Sequence, residues 1–494
     1  MSSILTNNGA MVALQALKSI NGDLSKTQSM ISTGKMVASA KDNASVWAIS
    51  KVMESDVSGF KGISDSLGLG ESTVAVARQA TETVTDLLTK IKGKVVAAQE
   101  ENVDRTKIQA DIDALTGQIK SVTGAAQFNG LNLIKGTDDM NILSSLDRAS
   151  DGSVTASNIT VARQDLTSTA GVFGSGTSLN ANATASGAAI TSVGNNANVT
   201  IATDADMSDN AVSIDIAGVT LNFAAGELSG NQDAAALQIT GALNALGLEG
   251  ISAAVNGTNA NQIDVTSTRA FESVSLAATG ATASAATIGE RAENIALSTS
   301  ANVNNGDGYR VTVGSASYSY VAGKGETMED VAKGLKTAID GAGLTGVTTR
   351  ATKDATTGAW SLKVDNDGTG SASLALSVVG NAGGKASGGL FGLDNLKVTT
   401  NAGADSALDN IETLIANSID AAASFGSAQG RIETQSDFIG KLTDALKTGI
   451  GTLVDANMEE ASARLQALQV QQQLGVQSLS IANQAPQSIL SLFR

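Results

Sequence analysis

The sequence predicts a mainly helical chain with a β-rich insert, an α+β molecule built on long antiparallel helices drawn from both termini. Three observations carry this. Apolar residues recur with helical periodicity over about residues 1–135 and again over about 405–494. The stretch between them turns to Gly, Ala, Ser, Thr and Asn, with alternating apolar positions. Within that stretch one pattern of alternation, turn and short helix occurs twice.

The N-terminal helical region is read first. From Phe60 to Ala98 apolar residues recur at three- and four-residue steps, through Ile63, Leu67, Val74, Leu88, Ile91 and Val95. A second run joins Ile108, Ile112, Leu115, Ile119 and Val122. Each is one narrow stripe on a long helix, the geometry of a coiled coil. A helix of ~39 residues at ~1.5 Å per residue is ~58 Å long and cannot bury its stripe on itself. Gly68 and Gly70 fall inside this periodic run rather than after a strand, which argues against a phosphate-binding loop.

The middle repeats itself. VSIDIAGVTLNFAAG, from Val212, matches YRVTVGSASYSYVAG, from Tyr309. The helical segments after them pair Ile239 with Leu335, Leu243 with Ile339 and Gly247 with Gly343. Strand patterns at Ile263 and Val274 then match those at Leu362 and Leu374. Each copy reads as a hairpin, a short helix and two strands, so two small ββαββ domains are expected side by side.

The C-terminal stripe runs Leu408, Ile411, Ile415, Ser418, Ala422, Phe425, Gln429 and Ile432, then Ile439, Leu446, Ile450 and Leu453. The two extremities carry weaker seams. One includes Leu14, Leu17, Asn21, Leu24 and Ile31; the other includes Leu465, Leu468, Gln472, Gly475, Leu479, Ile489 and Phe493, with Leu492 beside it. Polar and tiny residues at seam positions weaken a coiled coil while restricting its register. These ends are therefore expected to order when many copies come together, against the plainer reading of two ordinary amphipathic core helices.

Composition narrows the function classes. The 494 residues suffice for about three to four domains, yet only 3% are aromatic, and histidine and cysteine are absent. Histidine triads, thiol nucleophiles and most zinc sites are thereby unavailable, and the carboxylates are scattered. VDNDGTG, at 364–370, sets Asp365 and Asp367 near Gly368 but lacks the distal glutamate of a calcium loop, so a turn is expected there. No cofactor or metal site is expected. The net charge of −16 opposes nucleic acid and anionic lipid as partners. No stretch reaches the roughly 18 apolar residues of a membrane span, and no cleavable secretory signal is evident at the N-terminus. Trp47 and Trp360 are expected as packing residues, and the Ser/Thr-rich centre names no glycosylation site.

Three stretches resemble one family. ISTGKMVASAKDNASVWAIS (31–50), AAQFNGLNLI (125–134) and the ending ANQAPQSILSLFR (482–494) resemble, in this order, the end motifs of bacterial flagellins. SSLDRASDGSVTASNITVARQDL (144–166) further resembles alphaproteobacterial members. The resemblance implies an extracellular filament subunit, exported unfolded by the flagellar type III apparatus, whose partners are copies of itself together with an export chaperone, the filament cap and the hook–filament junction proteins. It implies inner D0 helices at 1–45 and 453–494, D1 helices at 46–180 and 400–452, and outer domains at 181–300 and 301–399. It also implies that Ile489, Leu492 and Phe493 pack against Leu14, Leu17 and Leu24 and against neighbouring subunits. At Thr89–Gln99 the chain departs from the segment that a vertebrate innate receptor reads, with Gly93 and Lys94 in place of Glu and Leu, so weak signalling is expected. A hook–filament junction protein, and more remotely a secreted enzyme in the same frame, are the competing classes.

Overall fold

The computed structural model describes residues 7–149, 153–368 and 372–491, with side chains through residue 484. Its helices, in chain order, are α1 (Asn8–Thr33), α2 (Ala44–Ala97), α3 (Arg105–Ala125), α4 (Gln232–Ala245), α5 (Met328–Asp340), α6 (Asn401–Val454) and α7 (Met458–Ser491). By its contacts the chain divides into two compact units. The first comprises the N-terminal part through residue 72, residues 141–161 and everything from 428 onward; the second comprises residues 73–140 and 162–427.

In the first unit α1 begins at Asn7, whose side chain accepts from the Ala10 N–H, and ends at Gly34 in the left-handed conformation that glycine adopts without penalty. The connection to α2 is tied to the turn between α6 and α7. The Met36 N–H donates to the Val454 carbonyl at 2.7 Å, and the Ala456 N–H to the Gly34 carbonyl at 2.9 Å. A hairpin of β1 (Met140–Arg148) and β2 (Val154–Val161) lies on α2 through two glycines. A Cβ on Gly59 would overlap Leu146, and one on Gly70 would overlap Ile142. Arg148 fastens the same hairpin to Asp56 at 2.6 Å.

In the second unit the expected stripe of α2 is buried, Val74, Val84, Leu88, Ile91 and Val95 among it. The facing stripe of α6 departs from expectation at alternate positions. Ala407, Leu414 and Ala421 are buried together with Ile411, Ser418 and Phe425, whereas Leu408, Ile415 and Ala422 are only half-buried; within the first unit the same helix buries Ala428 and Ile432 and leaves Gln429 half-buried. Small alanines face inward and the larger Leu408 and Ile415 flank the seam, so side-chain size is a misleading guide to this face. The helices run antiparallel: the Thr85 and Ser418 hydroxyls lie 2.8 Å apart, and Lys92 pairs with Glu412 further along. From α3, Gln109 brackets the returning chain, donating to the Leu396 carbonyl and accepting from the Val398 N–H, both at 2.9 Å.

The remaining strands form two modules. In chain order they are β3 (Ala183–Ala185), β4 (Ala189–Ile190), β5 (Asn195–Ile201), β6 (Val212–Ile216), β7 (Val219–Phe223), β8 (Ile251–Val255), β9 (Gln262–Ser267), β10 (Val274–Thr279), β11 (Ala281–Ala283), β12 (Thr287–Ile288), β13 (Glu293–Leu297), β14 (Gly308–Val313), β15 (Ala316–Val321), β16 (Val347–Lys353), β17 (Trp360–Asn366) and β18 (Leu374–Asn381). Module 1 has sheets ordered β12-β10-β6-β7 and β11-β5-β9-β8; module 2 has β4-β18-β14-β15 and β3-β13-β17-β16. Each encloses its own helix, α4 or α5, in a core of aliphatic side chains. The expected hairpin and helix are present in both copies. Beyond them the structure adds β8 and β16, where the sequence suggested only the end of a helix and a turn. It also moves β3 and β4, expected with the first repeat, into the sheets of the second.

Candidate self-association surface

The terminal helices α1 and α7 pack antiparallel. Asn7 donates to the Ala482 carbonyl at 2.8 Å, and Gln472 donates to the Asn21 side chain at 2.7 Å. Between these ties Leu17 fills the space over Gly475, where a Cβ would overlap it. A two-helix pair has one mutual face and leaves the other faces to solvent. Accordingly few side chains here are buried, among them Thr27, Ala461 and Leu468.

The residues expected to self-associate fall into three groups. Leu468 is buried within the pair, while Leu17, Leu24, Ile31, Leu465 and Leu479 are half-buried along it. Leu14 is 58% exposed and points away. The side chain of Ile489, and Leu492 and Phe493 entirely, lie outside the described residues. The structure adds further exposed apolar positions, of which Val470, Leu474 and Ile481 share one face of α7. Met11 and Val12 on α1, and Val470, Leu474, Val476 and Ile481 on α7, are each more than half exposed. Their spacing is visible in the sequence, since Leu474 and Ile481 sit one and three helical turns beyond Val470, but a search for one seam per helix passes over it.

Elsewhere the concave places are mixed, and one is a largely apolar groove lined by Ile119, Leu166, Leu390 and Leu393 beside Lys120 and Asp394. A cavity of about 210 Å³ is lined by Arg163, Asp165, Glu326, Asp330 and Asp420. Burial pushes the Glu326 carboxyl above the ordinary glutamate range, opposed by donation from the Gly323 N–H and from the Tyr320 hydroxyl at 2.8 Å. Asp365, in the stretch with a faint likeness to a calcium loop, is instead held bidentately by Arg291, Nε to Oδ1 at 2.8 Å and Nη2 to Oδ2 at 2.6 Å; Thr369 and Gly370 of that loop lie outside the described residues. Trp360 is half-buried, with the Lys333 ammonium 5.5 Å from its ring centre. Among the described residues no cluster of three metal-ligating side chains occurs, and no helix is long and apolar enough to cross a membrane.

Family models for the bacterial flagellin N-terminal and C-terminal helical regions match residues 4–139 and 408–493, the segments that supply α1–α3 and most of α6 and α7. Flagellin A of Rhizobium meliloti is 32% identical over 496 residues, spanning 100% of both chains. The chain belongs to the bacterial flagellin family. Flagellin B of the same alphaproteobacterium is 32% identical over the same extent, and flagellin FljM of Caulobacter vibrioides is 41% identical over 175 residues, 34% of this chain and 63% of that one. A solved flagellar hook-associated protein-3 from Legionella pneumophila is similar at a TM-score of 0.31 and 9% identity, covering 82% of this chain and 98% of that one. As a flagellin the chain is a structural subunit of the extracellular flagellar filament, and it homopolymerises.

Proposed function

We propose that this flagellin polymerises through the faces that the α1–α7 pair leaves uncovered. The observation that carries the reading is the exposure of Met11 and Leu14 on α1 and of Val470, Leu474 and Ile481 on α7, helices that already spend their mutual face on each other. Burying an exposed leucine contributes on the order of 1.5–3 kcal/mol, so a few such residues per subunit, repeated in head-to-tail contacts that do not close, suffice to drive a filament. Leu17, Leu24 and Ile31, with Leu465, Leu468, Leu479, Ile489, Leu492 and Phe493, then form the inner seam, and Leu14 lies on the uncovered face. Residues 1–45 and 453–494 make the innermost layer, 46–180 and 400–452 the next, and the β-rich modules face outward.

The same reading has the subunit exported unfolded, with an export chaperone, the filament cap and the hook–filament junction proteins as further partners, and with no catalytic role. The test is assembly of purified subunits, monitored by electron microscopy and sedimentation. Leu14→Asp and Leu474→Asp each place a charge on an uncovered face and should leave soluble subunits with unchanged circular dichroism that no longer sediment. Removal of the last dozen residues should do the same. Normal filaments from these variants would refute the assignment.

A further inference from the structure

The two modules are not closed by their own sequence repeats. ATASGAAI (183–190) and ATASAATI (281–288) head two copies of a tandem repeat, with β3 and β11 starting 98 residues apart, as do β5 and β13. Yet the pair that heads the first copy closes the body of the second. Ala185 of β3 stands opposite Ile295 of β13, and Ala189 of β4 opposite Ala375 of β18. Conversely the pair that heads the second copy closes the first: Ala283 of β11 faces Val199 of β5, and Thr287 of β12 faces Ser275 of β10. The anchors of the two pairs sit in opposite cores, Ile190 in that of module 2 and Ile288 in that of module 1, both fully buried.

The exits of the two bodies explain the exchange. After β10 the chain passes through Gly280 alone into β11. That glycine has φ +74°, and a Cβ on it would overlap the Ala211 carbonyl, so the step is tight and the strands immediately downstream close module 1. After β18 the chain runs instead toward α6, with no further strand before that helix. Module 2 would keep two unpaired sheet edges, on β13 and β18, a state that exposes strands to aggregation. β3 and β4, arriving from before module 1, cover both.

We propose that this region is an open-ended array whose length changes by whole 98-residue periods. Each body is closed by the strand pair after it, and the last body by the pair before the first. Cutting out residues 191–288 joins Ile190 to Gly289 and restores the Ile-Gly-Glu-Arg-Ala run that Ile288 now begins. The linker kept in this way retains its Arg291 clamp on Asp365. The excision leaves the tie of module 2 to α6 in place. Module 2 docks on α6 through the buried Lys336, which donates to Asp340 at 2.8 Å and to Asn410 at 3.2 Å. The corresponding α4 residues are Thr240 and Asn244, and Asn244 is spent on the Ala253 backbone within module 1.

Amide hydrogen exchange tests the proposal. In the chain lacking 191–288, amides of β14, β17 and β18 should keep their protection within about threefold of the parent, since opening of a closed body is unchanged. Exchange there at the rate of an unstructured chain would overturn the proposal. Ile190→Ala, in the otherwise intact chain, should speed exchange in β13, β14 and β18 by about tenfold or more while β5, β6 and β10 stay as they were; Ile288→Ala should do the reverse. Loosening of module 1 by Ile190→Ala, or of both modules alike, would show that the repeats close themselves.

Discussion

Two glycines two residues apart on one helix have opposite reasons to be glycine. Gly68 of α2 has no atom near the place a Cβ would take, whereas Gly70 lies under Ile142 of the hairpin. Gly68→Ala should therefore stabilise the chain by about 0.5–1 kcal/mol through helix propensity, and Gly70→Ala should destabilise it by about 1–3 kcal/mol through overpacking, both read from thermal unfolding. The sequence places both in a helix but does not tell them apart, because the atom that distinguishes them comes from residue 142. Asp365 teaches the same lesson. Its neighbours in sequence suggest a turn with a faint likeness to a cation loop, while its partner Arg291 lies far back along the chain. Arg291→Met strands that carboxylate, 1% exposed, without a counter-charge, and should cost about 3–5 kcal/mol. Glu326 gives a dependence on pH. Its raised value means that the folded chain binds the proton more tightly than the unfolded one. Stability therefore falls as pH rises from the ordinary glutamate value of about 4.3 through the raised one, and is level beyond it. Glu326→Gln should abolish that slope in the melting of module 2, measured between acid and neutral pH.

At the scale of elements, periodicity locates every long helix, because a stripe on α2 or α6 is a local pattern that needs no knowledge of its partner. It misplaces half of the α6 seam: apart from Leu414 the inward positions, Ala407, Ala421 and Ala428, are small, while the flanking Leu408 and Ile415 are large. The strands β8 and β16 escape because each starts directly after a glycine turn that resembles the end of the preceding helix. Strands β3 and β4 escape as strands of module 2 because three- and two-residue elements carry little pattern and their partners stand beyond an intervening module. In the terminal pair, Gly475 is legible as a tiny residue on the seam, but the side chain it admits, Leu17, is not. Gly475→Val should push that leucine out, part α1 from α7, and lower the helical circular dichroism of the subunit along with its yield of filaments.

For the whole molecule, composition alone excludes histidine and thiol chemistry, and the end motifs are specific enough to carry the family. The outward region can be seen in the sequence to repeat but not to interlock. A deletion of roughly 205–385, natural from composition alone, leaves β3, β4 and β5 behind as unpaired edges. The cut that the structure favours removes 178–381, because the Ala382 N–H already donates to the Thr177 carbonyl at 2.9 Å and the joined ends are neighbours. That variant should assemble into filaments with the far-ultraviolet signature of the long helices alone. The interlock also orders events in time. Module 1 is made of one continuous segment, whereas module 2 needs strands from either side of it, so its contact order is higher and its loop-closure entropy larger. Whichever end of the chain leaves the cell first, β3 and β4 must wait for β13 and β18 across an intervening module, and pulse-labelled refolding should find the first core protected before the second.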